Sequence, residues 1–123
     1  MPDCVDFGII NTFESGKNYS ELDRRYSNPY QHFLEEYRCI SVPDDIVNEW
    51  IVPSQIIPTY LESSKRDFKG IDHYGITLLP PTSLPMLLEI VKPWKEADES
   101  VPRLIQLIQE AIKGEKYMIV YGV

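Results

Sequence analysis

Two runs of sequence decide the fold: YGITLL at 74–79 and YMIVY at 117–121. Both are short, apolar and rich in β-branched or aromatic residues, a composition typical of buried strands. Between them, apolar residues recur at helical spacing over Leu84–Val91 and again over Val101–Ile112. Two helices joined by a short loop pack antiparallel, so the second strand runs opposite to the first. We predict that the strands lie antiparallel in one sheet, where they could be neighbours, with both helices on one face.

Residues that start and stop regular structure delimit this C-terminal unit. Pro80 and Pro81 end the first strand, because proline has no N–H to donate to a ladder. Ser83 and Ser100 are predicted to be the N-caps of the two helices, since serine readily accepts a bond from an unpaired helical N–H. Gly114 is predicted to be the C-cap of the second helix.

The first half of the chain carries weaker signals. Val5–Asn11 and Tyr37–Val42 are each predicted to be a strand. A helix is predicted to open at Pro43, because proline suits a first helical turn, and another short helix is expected within Ser54–Ser64. We therefore predict one α+β domain over residues 1–123. Its small mixed or antiparallel sheet carries the C-terminal strand–helix–helix–strand unit on one face.

Charge and composition restrict the partners. The chain has 19 acidic and 12 basic residues, a formal net charge of -7. Such a surface repels phosphate and anionic lipid, so we expect neither nucleic acid nor a membrane as a partner, and it attracts a basic protein. The competing interpretation is that the charge serves solubility. With no signal-peptide pattern at its start and no apolar run near the ~20 residues that span a bilayer, the chain is expected to be cytoplasmic.

A polar helix face is the most suggestive surface feature. The helix that opens at Pro43 places its polar residues opposite its apolar ones. We predict that this face, an acidic loop and two tyrosines contact a protein partner: Asp44, Asp45, Asn48, Glu49, Glu96, Asp98, Glu99, Tyr19 and Tyr26. Tyrosine is enriched at interfaces because one end is apolar and the other polar. The alternative is a solvated helix face whose carboxylates match the helix dipole, with tyrosines at the rim of the core.

Residues suited to catalysis are sparse. The chain has no phosphate-binding loop, dinucleotide fingerprint, HExxH or GxSxG motif, and we expect no enzymatic activity, no cofactor and no metal site. One alternative is a small enzyme with a sparse site around His73 and Cys39, since an imidazole can activate a thiol. Asp72 is not expected to orient His73, because adjacent strand residues point to opposite faces. Another alternative is a structural or regulatory subunit that forms a homodimer through an exposed strand edge.

The C-terminal segments HYGITLLPPTSLPMLLEIV at 73–91 and IQLIQEAIKGEKYMIVYGV at 105–123 carry a family resemblance. They resemble small cytosolic immunity proteins, which bacteria encode beside secreted polymorphic or contact-dependent growth inhibition toxins. The likeness covers about residues 72–123. It implies a non-enzymatic protein that binds and neutralises one cognate toxin, in some cases a nuclease, and that needs no cofactor. Such families share no universal binding residues, so the resemblance assigns none here.

Overall fold

Six strands and three α-helices make up the part of the chain that the computed structural model describes, namely residues 4–15, 17, 19, 37–61 and 64–122. The strands are β1 (Cys4–Ile10), β2 (Ile40–Pro43), β3 (Pro58–Leu61), β4 (Asp67–Lys69), β5 (Ile76–Leu79) and β6 (Tyr117–Tyr121). The helices are α1 (Asp44–Ser54), α2 (Leu84–Val91) and α3 (Ser100–Lys113). Short 3-10 turns at Pro81–Ser83 and Lys92–Trp94 flank α2.

All six strands join one antiparallel sheet in the order β2-β1-β6-β5-β3-β4. The strands before and after the helical pair, β5 and β6, are neighbours, with Ile76 opposite Tyr121. The prediction that these two strands run antiparallel in one sheet is confirmed. On its other side β6 pairs with β1, where Phe7 lies opposite Val120, so the N-terminal strand lies inside the sheet between β2 and β6.

The three helices cover one face of this sheet. Helices α2 and α3 pack against each other, and α1 packs beside α2. Their apolar side chains meet alternate strand residues such as Val5, Phe7 and Val120 in the larger core. Trp50 of α1 lies edge-on to Phe7, with ring centroids 6.1 Å apart. The fold class is α+β, as predicted, with the C-terminal strand–helix–helix–strand unit packed on one face.

The opposite face of the sheet carries a second, smaller core. Because strand side chains alternate between faces, the strand residues that do not contact the helices point to this face, and they are also apolar. Tyr19 and Tyr37 are buried against this face, and the ring of Phe13 stacks on Tyr117 with centroids 3.6 Å apart. The buried strand residues of this second core are Ile10, Ile76, Leu78, Ile119 and Tyr121. The central strands are therefore buried on both sides.

The prediction of a short helix within Ser54–Ser64 is wrong. Helix α1 ends at Ser54, and Pro58–Leu61 is strand β3, which forms an antiparallel hairpin with β4. Strand β3 also pairs with β5, where Tyr60 lies opposite Leu78. Pro58 is tolerated because it is the first residue of the strand. A four-residue strand has almost no periodicity of its own, so pairing with β5 decides its conformation.

The second predicted strand is shorter than expected. Tyr37 and Arg38 form a turn in which Arg38 adopts a positive φ of 54°, and β2 begins only at Ile40. The Tyr37 carbonyl accepts a 2.8 Å hydrogen bond from the Ile9 N–H. This turn brings the buried Tyr37 ring onto the second core while β2 continues along the edge of the sheet.

Ser83 is the N-cap of α2, as predicted, but its side chain caps no helical N–H, and Glu99 instead of Ser100 is the N-cap of α3. The Ser83 hydroxyl donates to the Pro58 carbonyl at 2.6 Å, which ties the start of α2 to β3. Ser100 is the first residue of α3, and the Asp98 carboxylate accepts hydrogen bonds from its N–H at 3.0 Å and its hydroxyl at 2.6 Å. Asp98 therefore satisfies the N–H of the first residue of α3, and the Ser100 hydroxyl is a donor to Asp98 and not a cap.

The end of α3 confirms Gly114 as the C-cap, but the left-handed residue follows it. Glu115 has a φ of 53°. Its N–H donates to the Ile112 carbonyl at 3.2 Å, and the Lys116 N–H donates to the Ala111 carbonyl at 2.8 Å. These two bonds form a Schellman motif, in which the positive φ usually falls on glycine.

Candidate partner-binding site

The start of α1 concentrates negative charge. Pro43 is the N-cap and not the first residue of the helix, which begins one position later than predicted, and Asp44 and Asp45 occupy the first turn. Carboxylates are favoured there because the unpaired N–H groups of the first turn carry partial positive charge. The Asp45 Oδ1 accepts a 3.0 Å hydrogen bond from the Ile46 N–H. The local sequence therefore explains why this helix begins here and why its first turn is acidic.

The outward face of α1 follows from what the helix buries. Val47 and Trp50 are fully buried in the larger core. At 3.6 residues per turn, the opposite side of the helix must face solvent. The exposed residues on that side are Asp45, Asn48, Glu49 and Val52, and Val52 is 71% exposed. The predicted polar face is therefore at the surface, with one large apolar side chain at its C-terminal end.

Asp44 extends this face toward the turn that precedes β5. Its side chain is 35% exposed, and its Oδ2 lies 4.0 Å from Nε2 of His73. The His73 side chain is only 11% exposed, and its Nε2 has no hydrogen-bond partner among the described residues. The His73 ring also stacks on Tyr74, with centroids 5.1 Å apart and planes inclined by 22°. Asp44, His73 and Tyr74 thus form a continuous row beside α1.

Tyr74 is the most exposed large hydrophobic residue among those described, at 75%. We expected it to lie within the strand, but β5 begins only at Ile76. The Asp72 carboxylate accepts a 3.0 Å hydrogen bond from the Tyr74 N–H, and the Gly75 N–H donates to the Asp72 carbonyl at 3.4 Å. Aspartate first and glycine fourth are favoured in a type I turn, and this Asp-His-Tyr-Gly pattern could have identified the turn. Asp72 engages Tyr74 and not His73, in agreement with the sequence argument.

The C-terminal end of β6 supports the Tyr74 turn from behind. The Gly122 N–H donates to the Gly75 carbonyl at 2.8 Å. A Cβ on Gly122 would lie 2.3 Å from the His73 carbonyl oxygen, so no larger residue fits without a shift. This close approach holds the turn in place, and the exposed Tyr74 side chain projects from a supported backbone. We call Asp44, Asp45, Asn48, Glu49 and Tyr74 the α1–Tyr74 surface.

The two tyrosines predicted to bind a partner are not part of this surface. Tyr19 is 1% exposed, so the prediction that it contacts a partner is wrong for this structure. Its hydroxyl accepts a 3.1 Å hydrogen bond from the Glu14 N–H, and its ring is stacked with Phe13. A tyrosine can serve a core or an interface equally well by composition, and here burial on the sheet decides. Tyr26 lies outside the described residues.

The three acidic residues of the loop before α3, namely Glu96, Asp98 and Glu99, have different roles. Glu96 and Glu99 are exposed, as a surface patch requires. Asp98 is half-buried and engaged with Ser100. The hydrogen bonds from the Ser100 hydroxyl and N–H lower the pKa of the Asp98 carboxyl, because both favour its charged form. We therefore assign Asp98 to the start of α3, and Glu96 and Glu99 remain a second acidic patch.

Cys39 and His73, the candidate catalytic pair, contact different parts of the fold. Cys39 packs against the second core, whereas His73 contacts Asp44 of α1, which belongs to the helix layer. Burial, and then the negative charge of Asp6, raises the pKa of the Cys39 thiol to about 12. A nucleophilic cysteine needs the opposite shift, because the thiolate is the reactive form. Cys4 and Cys39 do not form a disulfide with each other.

Other features of the described residues offer little to a ligand. A cavity of about 320 Å³ opens at the end of β1, but the two charges on its rim, Glu14 and Lys17, pair with each other at 2.8 Å. Within the described ranges, no three side chains of His, Cys, Asp or Glu lie close enough to hold a metal ion. None of the described helices is both long and apolar enough to cross a membrane.

Comparison with known proteins leaves the function to be argued from this geometry. No protein-family model, curated protein or solved structure matches the chain. The α1–Tyr74 surface is therefore ranked by its own chemistry. It combines exposed carboxylates with an exposed aromatic ring, and protein interfaces commonly use an aromatic anchor surrounded by polar residues.

Proposed function

We propose that this chain is an immunity protein, which binds a cognate bacterial toxin in the cytoplasm and neutralises it by protein–protein contact. The C-terminal resemblance supports the class of function, and the formal net charge of -7 supports a basic partner. An exposed surface that is both acidic and aromatic supports a contact of this kind. The observation that carries the proposal is the α1–Tyr74 surface, where exposed carboxylates of α1 are linked through Asp44 and His73 to a tyrosine that is 75% exposed.

The carboxylates of this surface act first, during approach. Asp45 and Glu49 are exposed on the same side of α1, and Asp44 adds a third negative charge one residue earlier. Charges of one sign attract an oppositely charged partner before contact and raise the association rate, an effect that salt screens. Many toxins paired with immunity proteins are nucleases, whose substrate-binding surfaces are basic because they hold phosphate. An acidic inhibitor can occupy such a surface in place of the substrate.

Tyr74 acts after contact, as an anchor. Its ring projects from a turn that Asp72 and Gly122 hold in place, so little backbone freedom is lost on binding. Tyrosine is among the residues that most often dominate binding energy at interfaces. His73 and Asp44 lie beside this ring, so the aromatic and acidic parts of the surface are continuous.

The experiment begins with the protein encoded by the neighbouring gene, co-purified with the tagged chain. If a stoichiometric complex forms, titration calorimetry compares the wild type with the double variant Asp45→Lys/Glu49→Lys and with Tyr74→Ala. We expect each variant to bind the toxin domain at least about tenfold more weakly, because one reverses the steering charge and the other removes the anchor.

A matched control is available on the other acidic patch. Glu96→Lys/Glu99→Lys changes the net charge by the same amount at exposed positions before α3. We expect this control to lose less affinity than Asp45→Lys/Glu49→Lys, because Glu96 and Glu99 lie outside the α1–Tyr74 surface. Equal weakening by both double variants would show that overall charge, and not the α1–Tyr74 surface, governs binding. Absence of a complex with the toxin would contradict the immunity function itself.

A further inference from the structure

The β4 edge of the sheet is exposed along its whole length. Within the described residues β4 pairs only with β3, and Asp67, Phe68 and Lys69 are all exposed. Phe68 is 38% exposed although it is a large apolar residue. Neither Asp67 nor Lys69 forms an ion pair within the described part of the chain. An edge strand leaves a row of N–H and C=O groups that another strand can use.

The register of the β3–β4 hairpin determines which groups point outward. The Leu61 N–H donates to the Arg66 carbonyl at 2.8 Å, and the Gly70 N–H donates to the Ile57 carbonyl at 2.8 Å. In an antiparallel pair, hydrogen-bonded positions alternate with non-hydrogen-bonded ones. Phe68, which lies opposite Thr59, is therefore the hydrogen-bonded residue of β4 within the hairpin. The N–H and C=O groups of Asp67 and Lys69 then point away from β3, toward solvent.

The outward-facing residues are complementary to a second copy of themselves. When β4 is paired antiparallel with another β4 about Phe68, each Asp67 lies opposite a Lys69. These two positions are the ones whose backbone groups point outward, so each Asp67–Lys69 pair can form two N–H···O=C bonds, four in all. The two Phe68 residues then form the intervening non-hydrogen-bonded pair, in which side chains approach most closely. Opposite charges directly across two strands stabilise the pairing.

The same features disfavour pairing with an unrelated strand. Short, charged edge strands ordinarily prevent association, because a foreign strand seldom presents matching charges. When a second β4 runs in the opposite direction, its Lys69 lies opposite Asp67 and its Asp67 lies opposite Lys69. A second copy of the chain therefore presents the matching charges. The other edge of the sheet, β2, ends at Pro43, which has no N–H to donate, and α1 and α3 pack against it. The complementarity therefore belongs to β4.

We propose that two copies of this chain associate through their β4 strands, forming a two-fold symmetric dimer in which the two sheets continue into one. The two-fold axis passes through the Phe68 pair, normal to the sheet, so the helix layers of both copies lie on the same side. The paired segment is three residues long in each copy. The interface is therefore small, and the dimer is weak and concentration-dependent. This association is independent of toxin binding, because it uses neither α1 nor Tyr74.

Sedimentation velocity over a range of concentrations, up to millimolar, tests the dimer with charge variants. We expect the wild type to shift from monomer to dimer. Asp67→Lys places two lysines opposite each other at both ends of the paired segment, and Lys69→Asp places two aspartates there. Each single variant should weaken dimerisation at least about tenfold. The double variant Asp67→Lys/Lys69→Asp exchanges the charges and should restore the wild-type dimer. A wild type that stays monomeric, or a double variant no better than the singles, would overturn the proposal.

Amide hydrogen exchange on the wild type tests the same register without any substitution. The N–H groups of Asp67 and Lys69 should become protected as the concentration rises, because they bond to the second copy. The Phe68 N–H should stay protected throughout, since its partner is Thr59 within the chain. Exchange at Asp67 and Lys69 that does not change with concentration would refute β4 pairing, whatever the charge variants show.

Discussion

The two faces of the central sheet are both buried, but different kinds of side chain bury them. On the helix face, mainly aliphatic residues from three helices interlock with alternate strand residues. On the opposite face, aromatic residues such as Tyr19 and Tyr37 pack with the strand residues. There the segment 37–39 lies so close to β1 that a Cβ on Gly8 would be 2.8 Å from the Cys39 sulfur. The helix face is therefore sensitive to lost volume, and the opposite face to added volume.

The largest effect is expected from a cavity on the helix face. Leu104 of α3 is fully buried, and Leu104→Ala should lower the free energy of unfolding by about 2–5 kcal/mol, because the removed methyl groups leave space that neighbours cannot fill. Urea unfolding measures the loss. The control is Val52→Ala on α1, where the side chain is 71% exposed, with an expected change within about 0.5 kcal/mol. Similar losses in the two variants would mean that the helix face is not tightly packed.

A smaller effect is expected from added volume on the opposite face. Gly8→Ala would bring its new methyl group 2.8 Å from both the Cys39 sulfur and the Tyr37 Cβ. We expect a loss of about 1–3 kcal/mol in the free energy of unfolding, because strand and loop must move apart. Combining it with Cys39→Ala should recover part of that loss, since one of the two contacts disappears. Wild-type stability for Gly8→Ala alone would contradict the close packing that distinguishes this face.

The smallest effect is expected from the ion pair that joins the two layers around the β2 edge. Arg38, in the turn before β2, donates two hydrogen bonds to the Glu110 carboxylate on α3, and both side chains are about half exposed. Water screens such pairs, so Glu110→Gln should lower the melting temperature at neutral pH by less than about 3 °C.

The pH dependence of that difference has a definite sign. The Arg38 hydrogen bond lowers the pKa of Glu110 below its ordinary value of 4.5. A carboxyl whose pKa is depressed by folding stabilises the protein above its unfolded pKa, and that stabilisation is lost as the pH falls through the folded value. Melting curves of wild type and Glu110→Gln should therefore converge in acid, below pH 4.5. A gap that persists there would assign the effect to packing and not to charge.

The C-terminal unit could be predicted from the sequence because its signals are local and agree with one another. Strand β6 begins and ends at the predicted residues, and α2 and α3 follow the apolar periodicity. The antiparallel orientation of β5 and β6 followed from the number of intervening helices, whereas their direct pairing was left open. Charge placement on α1 was equally local, because burying Val47 and Trp50 forces Asp45, Asn48 and Glu49 outward.

The candidate binding surface was predicted only in part. The acidic residues of α1 came from periodicity, but Tyr74 was assigned to a strand, and its exposure depends on a turn that Asp72 and Gly122 stabilise. Tyr19 was assigned to the surface for its composition, whereas it is buried on the sheet. Amphipathic residues such as tyrosine take their place from their neighbours, which the local sequence does not specify.

The sequence by itself determined the α+β class, the elements of the C-terminal unit and the acidic face of α1, because helical periodicity and β-branched runs act within a few residues. The tertiary structure alone decided the β3–β4 hairpin, the burial of Tyr19 and the exposure of Tyr74. Short strands and single aromatic residues gain their stability from partners distant in sequence: β3 from β5, Tyr19 from the second core, and the Tyr74 turn from Gly122. The edge that the sheet leaves open at β4 is likewise a product of strand order, which is set by packing the whole chain.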